Sequence, residues 1–299
     1  MIARVVGRLL NLPALLRYLR EHRADRSVWD PAEDLELQLY GAIFGNNFLH
    51  YGYFREIPAS ADEISLAEVS RAMDDYASLL VERVKPGERV LDVGCGMGGL
   101  LDRLDRAGAK PTGVTPNRAH AQHIRAGWPH IPLIESPFEQ VDATSVDPKF
   151  DAVINAESFQ YIDLDQGLAK VKALLAPGGR WIVIDYYRLQ PGAKNRSGHV
   201  LSDFEAALER HGLEITERVD VTENCVPSLA YGRLLATRFA LPMARFGADK
   251  LFLKQRLLGY LFRDTLQAKL DGVRLDTLDP DVFRREKRYL LFTIRRREG

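Results

Sequence analysis

The chain has 299 residues, of which 46% are hydrophobic and 27% are charged, and its formal net charge is zero. This composition is ordinary for a soluble globular protein, and the length allows one large domain or one domain with an elaborate lid. Two cysteines, Cys95 and Cys225, are too few for a disulfide framework and indicate the reducing cytoplasm. No apolar run reaches the roughly eighteen residues of a membrane span, no small-residue cleavage site marks a signal peptide, and no Cys/His spacing predicts a metal site.

The zero net charge conceals an uneven distribution along the chain. Residues 1–30 carry six arginines and three acids, residues 31–80 carry two basic residues and nine acids, and residues 226–299 carry sixteen basic residues and eight acids. Basic ends favour an anionic surface or substrate, although solvated charge is the commoner explanation.

The first predicted element is a basic amphipathic helix, or two short ones separated at residues 11–13. Its apolar residues recur at helical spacing, and the arginines lie mostly off that stripe; the apolar positions are Ile2, Val5, Val6, Leu9, Leu10, Leu15, Leu16 and Leu19. Such a helix either lies on a membrane surface or packs on the domain. We assign residues 1–63 to an N-terminal helical or cap segment.

Residues 64–224 alternate between strand and helix patterns. Helices are predicted near 64–84, 97–107, 117–127, 163–175 and 201–211, and strands near 90–94, 110–115, 131–135, 150–156, 180–187 and 213–221. Strands that alternate with helices imply a parallel sheet with right-handed crossovers.

The segment from Val90 to Gly99 is an apolar strand that runs directly into a glycine turn. Glycines there let the backbone press closely against a ligand, and the N–H groups of the following helix would face it. The dinucleotide pattern is formally present, but the second strand ends at Thr115 without the acidic residue that a ribose would need. Asp92, inside the first strand, instead suits a ligand that carries an ammonium and a sulfonium group. A tight turn without a ligand is the alternative.

Three blocks together carry a family resemblance: residues 90–99, residues 150–157 and residues 174–184. They resemble the motifs of class I methyltransferases that depend on S-adenosylmethionine. The resemblance implies an α/β fold with a seven-stranded, Rossmann-like sheet, mostly parallel with an antiparallel last strand. It also implies S-adenosylmethionine as cofactor and S-adenosylhomocysteine as product. Residues 289–299 would supply the last strand, and the helical insertion 225–288 would be a substrate lid or a structural or dimerisation appendage.

The same resemblance assigns the cofactor contacts. The backbone of Gly94, Gly96 and Gly98 would approach the methionine part, and Asp92 would orient its ammonium. The strand ending at Thr115 and Pro116 resembles that of sterol, tocopherol and terpenoid methyltransferases, and His120 stands where those relatives have a glutamine. The remaining expected cofactor contacts are Ser136, Phe138 and Asn155.

Residues 48–54 read Phe-Leu-His-Tyr-Gly-Tyr-Phe and resemble an N-terminal segment of those relatives that closes over the cofactor. By that resemblance Tyr51 and Tyr53 contact the cofactor, and His50 contacts the substrate or transfers a proton. An aromatic core cluster is the alternative interpretation of this block.

Glu157 follows the fourth strand and, with Ser158 and Tyr161, resembles the pocket of terpenoid and sterol C-methyltransferases. There a carboxylate stabilises a carbocation or removes a proton, so we expect Glu157 to be catalytic; a salt-bridged or cofactor-facing glutamate is the alternative. Tyr186, at the end of the fifth strand, is a further candidate for substrate contact.

These features predict methyl transfer to a small apolar or amphipathic acceptor, most specifically C-methylation of an isoprenoid or lipid-like molecule. An oxygen or nitrogen acceptor and a non-catalytic scaffold that binds the cofactor are the alternatives. No nucleic-acid partner is expected. We expect a cytoplasmic protein, with membrane-surface association through its basic ends or oligomerisation left open.

Overall fold

The computed structural model describes residues 43–146, 148–192 and 197–297, together with the isolated positions 11, 13 and 16; at position 258 it describes the backbone only. The amphipathic helix predicted near the N-terminus therefore lies almost entirely outside the described residues. Within the described residues, no helix has both the length and the apolar character that a membrane crossing requires.

The described chain alternates strands and helices around one sheet. The strands are β1 Arg89–Val93, β2 Lys110–Thr115, β3 Leu133–Glu135, β4 Phe150–Ala156, β5 Leu175–Arg188, β6 Leu213–Asp220 and β7 Lys287–Arg296. The helices are α1 Leu66–Val81, α2 Gly99–Arg106, α3 Arg118–Gly127, α4 Leu164–Leu174, α5 Leu201–Arg210, α6 Thr222–Leu235, α7 Leu241–Lys254, α8 Arg256–Asp271 and α9 Pro280–Glu286.

The seven strands lie in the order β3-β2-β1-β4-β5-β7-β6. The first five in this order pair in parallel, whereas β7 pairs antiparallel with both β5 and β6. The predicted mostly parallel sheet with an antiparallel last strand is confirmed. Because β7 runs against its neighbours, its first residues lie beside the last residues of β5, and Tyr289 pairs with Tyr186.

Helices cover both faces of the sheet because neighbouring residues of its central strands point in opposite directions. Val90 and Ile182 face a core formed with α1 and α6, whereas Leu91 and Val183 face a second core formed with α4 and α5. All four of these side chains are fully buried. The sheet is therefore fixed from both sides, and the carboxyl ends of its parallel strands are held in place.

Local signals explain where several elements begin. The side chain of Ser65 accepts a hydrogen bond from the N–H of Glu68, and the Glu68 side chain accepts one from the N–H of Ser65, which forms a capping box at the start of α1. β5 begins earlier than predicted because Leu175 already pairs with Phe150, and the register then shifts before Arg180 pairs with Ala152.

The region between β6 and β7 is helical. A π-helical turn at Ala236–Ala240 joins α6 to α7, and α7 and α8 pack mainly against each other as a helical hairpin. α6 and α9 instead pack against each other and against β7, next to the end of β5.

Candidate active site

A cavity of about 370 Å³ lies beyond the carboxyl ends of β1, β2 and β4. Ligands bind at this edge in open parallel sheets. The structure brings ten of the predicted site residues together in its lining, namely His50, Asp92, Gly94, Gly96, Thr115, Pro116, His120, Glu157, Ser158 and Tyr161. The cavity therefore has one wall from the first two strands and another from the end of β4.

The glycine turn after β1 forms the floor of the cavity. Gly94, Gly96 and Gly98 have φ values of 74°, 52° and 89°, in the left-handed region that favours glycine. A Cβ atom placed on Gly94 would lie 2.4 Å from the Cβ of Ser158. Gly94 thus has no room for a side chain, and the turn exposes its backbone to a ligand in the cavity.

Asp92 supplies a buried carboxylate to the same wall. Its side chain is 1% exposed, and its Oδ2 has no hydrogen-bond partner among the described residues. Burial raises the pKa of this carboxyl group to about 7. An unpaired carboxylate oxygen that is buried this deeply is costly, and a cationic ligand group in the cavity would remove that cost.

The end of β2 presents a second unpaired polar atom. The Asn117 side chain accepts a hydrogen bond from the N–H of His120 and so begins α3, while the Thr115 hydroxyl accepts one from the N–H of Asn117. The Nε2 atom of His120 is buried and has no hydrogen-bond partner in the part of the chain that the structure describes. Burial, and to a smaller degree His123, lowers the pKa of His120 to about 4, so the ring is neutral at pH 7 and suited to hydroxyl groups.

Glu157 forms the opposite wall and has an unusual backbone. Its φ is 50°, the only positive value of a non-glycine residue in the described part of the chain. Such a conformation costs energy and persists only where the surroundings fix it. Here its N–H donates to the carbonyl of Ile184 at 2.9 Å, and its Oε1 accepts from the N–H of Tyr51 at 2.6 Å and from the hydroxyl of Tyr289.

Burial raises the pKa of Glu157 to about 7, while the hydrogen bonds from Tyr289 and Tyr51 act in the opposite direction. A second buried carboxyl group, Asp185, accepts hydrogen bonds from the N–H groups of Gln160 and Tyr186. Burial, and then the charge of Glu157, raises the pKa of Asp185 to about 8. Near neutral pH, Glu157 can therefore hold or release a proton.

Aromatic side chains surround the Glu157 carboxylate. The Tyr76 hydroxyl lies 3.0 Å from that of Tyr289, and because the latter donates to Glu157, Tyr76 is the donor between the two. The rings of Tyr51 and Tyr186 lie 5.9 and 6.1 Å from that of Tyr289. The result is a chain of hydroxyl groups that ends on the carboxylate within an aromatic cluster.

The sequence analysis did not identify Tyr76 or Tyr289 as site residues. For Tyr289 a signal existed, because an antiparallel last strand must begin at the edge where β5 ends. For Tyr76 no such signal existed, since it occupies an ordinary apolar position of α1.

His50 completes this wall. Its Nδ1 donates to the carbonyl of Tyr51 at 2.8 Å, because a carbonyl oxygen can only accept. Its ring stacks on Tyr76 with 4.1 Å between centroids, and its buried Nε2 has no partner among the described residues. Burial lowers the pKa of His50 to about 4, so the neutral ring presents a lone pair on Nε2.

Seven predicted contacts lie outside the cavity lining. Tyr53 lines a separate surface groove beside α1, because its N–H is bonded to the carbonyl of Ala72. Phe138 is buried in the core with α4, and the half-buried Ser136 donates a hydrogen bond from its hydroxyl to the carbonyl of its neighbour Pro137. Tyr53, Ser136 and Phe138 therefore do not line the cavity, and the cofactor contacts expected of them stay predictions.

The other four residues support the cavity from behind. Asn155 accepts a hydrogen bond from the Trp181 indole and donates one to Ser158, which orients Ser158 toward the carbonyl of Val93. Gly98 faces Ile124 and Trp128. Tyr51 and Tyr186 belong to the aromatic cluster. These side chains shape the site without lining it.

Comparison with known proteins agrees with this geometry. A methyltransferase domain model matches residues 90–179. The methyltransferase GfsG of Streptomyces halstedii is 30% identical over 214 residues, which cover 64% of this chain and 74% of that protein. The chain belongs to the class I S-adenosylmethionine-dependent methyltransferases. Within its small-molecule group, this methyltransferase is 30% identical to the geranyl diphosphate 2-C-methyltransferase of Saccharopolyspora erythraea, over 60% of this chain and 68% of the relative.

Two further relatives extend the comparison. The sterol 4-C-methyltransferase strm-1 of Caenorhabditis elegans is 28% identical, over 60% of the methyltransferase and 58% of the relative. The solved geranyl diphosphate C-methyltransferase of Streptomyces coelicolor A3(2), in complex with Mg²⁺, geranyl-S-thiolodiphosphate and S-adenosylhomocysteine, matches with a TM-score of 0.61 at 19% identity. It covers 89% of this chain and 98% of its own, and it supports the fold.

The residues of the methyltransferase fit S-adenosylmethionine. The unpaired Asp92 carboxylate suits its ammonium, the glycine turn suits its methionine backbone, and the unpaired Nε2 of His120 suits a ribose hydroxyl. For metals, the described residues contain no group of three or more His, Cys, Asp or Glu side chains placed to hold an ion.

Proposed function

We propose that the methyltransferase methylates a carbon atom of a small apolar or amphipathic acceptor, of the isoprenoid or lipid-like class. The observation that carries this proposal is the Glu157 carboxylate, held at the cavity wall within an aromatic cluster by the Tyr51 N–H and the Tyr289 hydroxyl. Two relatives are named as C-methyltransferases, one for a sterol and one for geranyl diphosphate.

C-methylation of an alkene requires a carboxylate and aromatic rings near the reacting carbons, and the wall around Glu157 contains both. Bound S-adenosylmethionine supplies a methyl group activated by its sulfonium. An alkene of the acceptor supplies the electron pair for the new carbon–carbon bond, while the methyl–sulfur bond breaks and its electrons stay on sulfur to give S-adenosylhomocysteine. The neighbouring alkene carbon then carries a positive charge, which the Glu157 carboxylate and the faces of the aromatic rings stabilise. A carbon next to the positively charged one then loses a proton to Glu157. The electrons of that C–H bond form a double bond to the charged carbon.

The charge of Glu157 is consistent with this role. Its pKa of about 7 describes the cavity without a ligand. A positive charge nearby favours the ionised form of a carboxyl group, so the sulfonium would lower that pKa. Glu157 is therefore expected to be a carboxylate when the acceptor reacts.

The second candidate is methylation of a hydroxyl or amine, and His50 is the observation that favours it. Its neutral ring lines the cavity and presents an Nε2 lone pair without a partner among the described residues. That atom could accept a hydrogen bond from an acceptor hydroxyl and remove its proton as the methyl group arrives. In this reading the Glu157 carboxylate orients the acceptor.

Methyl-labelled S-adenosylmethionine distinguishes the two. The purified protein is incubated with lipid extracts and, separately, with polar metabolite extracts, and carbon-13 NMR identifies the atom that carries the new methyl group. A methyl group on a carbon of an isoprenoid or lipid, in either extract, supports the proposal. A methoxy or N-methyl product overturns it in favour of the second candidate.

A further inference from the structure

The hairpin of α7 and α8 ends in an apolar and basic surface that no described part of the protein covers. We define residues 250–263 as the hairpin tip. Leu253 is 71% exposed and Tyr260 is 88% exposed, and Leu251, Leu257, Leu261 and Phe262 are exposed as well. Monomeric proteins rarely leave so many large apolar side chains together in water unless the surface binds something.

The hairpin holds this tip away from the sheet. α7 and α8 pack mainly on each other, with Phe252 buried between them against Gly259. At the opposite end of the hairpin, Arg245 forms a salt bridge with Asp271 at 2.8 Å. At a rise of 1.5 Å per residue, the tip begins about 8 Å after Arg245 along α7 and ends about 12 Å before Asp271 along α8, so it occupies the end of the hairpin opposite this salt bridge.

The charge of the tip points to one kind of partner. The tip contains four basic residues, Lys250, Lys254, Arg256 and Arg263, and no acidic residue. Among the described residues, none of the four forms an ion pair within 4.0 Å. Apolar side chains interleaved with unpaired basic ones match the acyl and headgroup layers of an anionic bilayer. Tyrosine is also enriched at this level of membranes.

We propose that the hairpin tip docks the protein on an anionic lipid surface, with its leucines and aromatic residues at the headgroup boundary. A second copy of the chain fits the tip less well, because a two-fold contact between tips would bring eight basic residues together without an acid. The proposal rests on the hairpin alone and stands whichever atom the enzyme methylates.

The hairpin is also connected to the segment that lines the cavity. The hairpin continues from α6, and α6 holds that segment through two hydrogen bonds. The N–H of Gly52 donates to the hydroxyl of Ser228 at 2.9 Å, and the N–H of Phe54 donates to the carbonyl of Asn224 at 2.9 Å. An apolar acceptor dissolved in the bilayer would then meet an enzyme that is already held at the membrane surface.

Co-sedimentation of the full chain with vesicles tests the proposal. We expect binding to equimolar phosphatidylcholine and phosphatidylglycerol and little binding to phosphatidylcholine alone. The double variants Leu253→Glu/Tyr260→Glu and Lys254→Glu/Arg256→Glu should each lower the partition coefficient at least about tenfold. Ile57→Glu and Lys85→Glu are matched controls at exposed positions on the core, and we expect them to bind within about twofold of the unchanged protein.

Three outcomes overturn the proposal. The first is a full chain that does not bind anionic vesicles. The second is binding that survives both tip variants but is lost in Leu9→Glu/Leu16→Glu, which would assign docking to the N-terminal segment. The third is a dimer in sedimentation velocity that the tip variants dissociate while vesicle binding is unchanged. Calorimetric binding of S-adenosylmethionine to each variant keeps failure of this proposal distinct from failure of the proposed function.

Discussion

The two walls of the cavity differ in how their polar groups are satisfied. On the cofactor wall, Asp92 Oδ2 and His120 Nε2 are buried without partners among the described residues. On the acceptor wall, the Glu157 carboxylate already accepts two hydrogen bonds, from Tyr51 and Tyr289, and His50 Nε2 is the atom left without a partner among the described residues. Because buried polar groups are normally paired, the Asp92 carboxylate is completed by its ligand, whereas the Glu157 carboxylate is held by the protein itself.

The walls also differ in where their residues come from. The cofactor wall is built within one short stretch, from Asp92 to His120. The acceptor wall joins Tyr51, Tyr76, Glu157 and Tyr289, and the hydrogen bond between the last two spans 132 positions. The affinity for S-adenosylmethionine and the pKa of Glu157 should therefore respond to different substitutions. Four experiments test this division.

The largest effect is expected from Gly94→Ala, because the new Cβ would meet the Cβ of Ser158 at 2.4 Å and φ is 74°. Overpacking and positive φ together cost about 3 to 5 kcal/mol, and S-adenosylmethionine binding should be lost. Gly178→Ala is the matched control, since φ at Gly178 is 73° but no described atom lies within 4 Å of the position that the new Cβ would take. It should cost about 1 to 2 kcal/mol and leave calorimetric binding unchanged.

Next, Asp92→Asn should weaken S-adenosylmethionine binding by about tenfold to a hundredfold, because it removes the charge that would face the ammonium. Isothermal titration calorimetry measures this change. Asp185→Asn provides the contrast, since that carboxylate is equally buried but already bonded to two backbone N–H groups. It should lower the unfolding temperature without changing the affinity; equal losses of affinity in the two variants would contradict the division.

Tyr289→Phe should raise the pKa of Glu157 and leave the affinity for S-adenosylmethionine unchanged. It removes a hydrogen bond that stabilises the Glu157 carboxylate, so the pKa of Glu157 rises further. A hydrogen bond to a charged group contributes about 1.5 to 3 kcal/mol, and the pH–rate profile should move about 1 to 2 pH units upward. In the control Tyr187→Phe, the deleted hydroxyl is buried without a hydrogen-bond partner in the described part of the chain, so no shift is expected.

The smallest expected effect is a pH dependence in how far bound S-adenosylmethionine raises the unfolding temperature of the protein. The pKa of Asp92 is about 7 in the free protein, and the ammonium group of bound S-adenosylmethionine would lower it. Binding is therefore weaker at pH values where Asp92 is protonated in the free protein. Affinity should therefore be lost as the pH falls below about 7. Saturating S-adenosylmethionine should raise the unfolding temperature about 2 to 4 °C more at pH 8 than at pH 6. Asp92→Asn should abolish this difference.

The same division explains what could be predicted from the sequence. The strand, turn and helix around Asp92 are adjacent in the chain, so local pattern was sufficient to predict the parallel sheet and its glycine turn, while the family resemblance implied the last strand and the cofactor contacts. The residues that hold Glu157 are distant in the chain: Tyr289 comes from the antiparallel last strand, and Tyr76, which contacts Tyr289, comes from α1. Tyr53 lies outside the cavity lining, where its N–H is bonded to the carbonyl of Ala72 in α1, and the cofactor contact expected of it stays a prediction.

The most direct test of this account is a paired measurement on Asp92→Asn and Glu157→Gln, with calorimetric affinity for S-adenosylmethionine and label transfer to the lipid extract as the two readouts. We predict that Asp92→Asn loses affinity but transfers label when the cofactor is saturating. Glu157→Gln should bind within about twofold of the unchanged protein and transfer little or no label. If Glu157→Gln binds normally and transfers label at the full rate, Glu157 neither stabilises nor deprotonates the acceptor, and the assignment of the acceptor wall is contradicted.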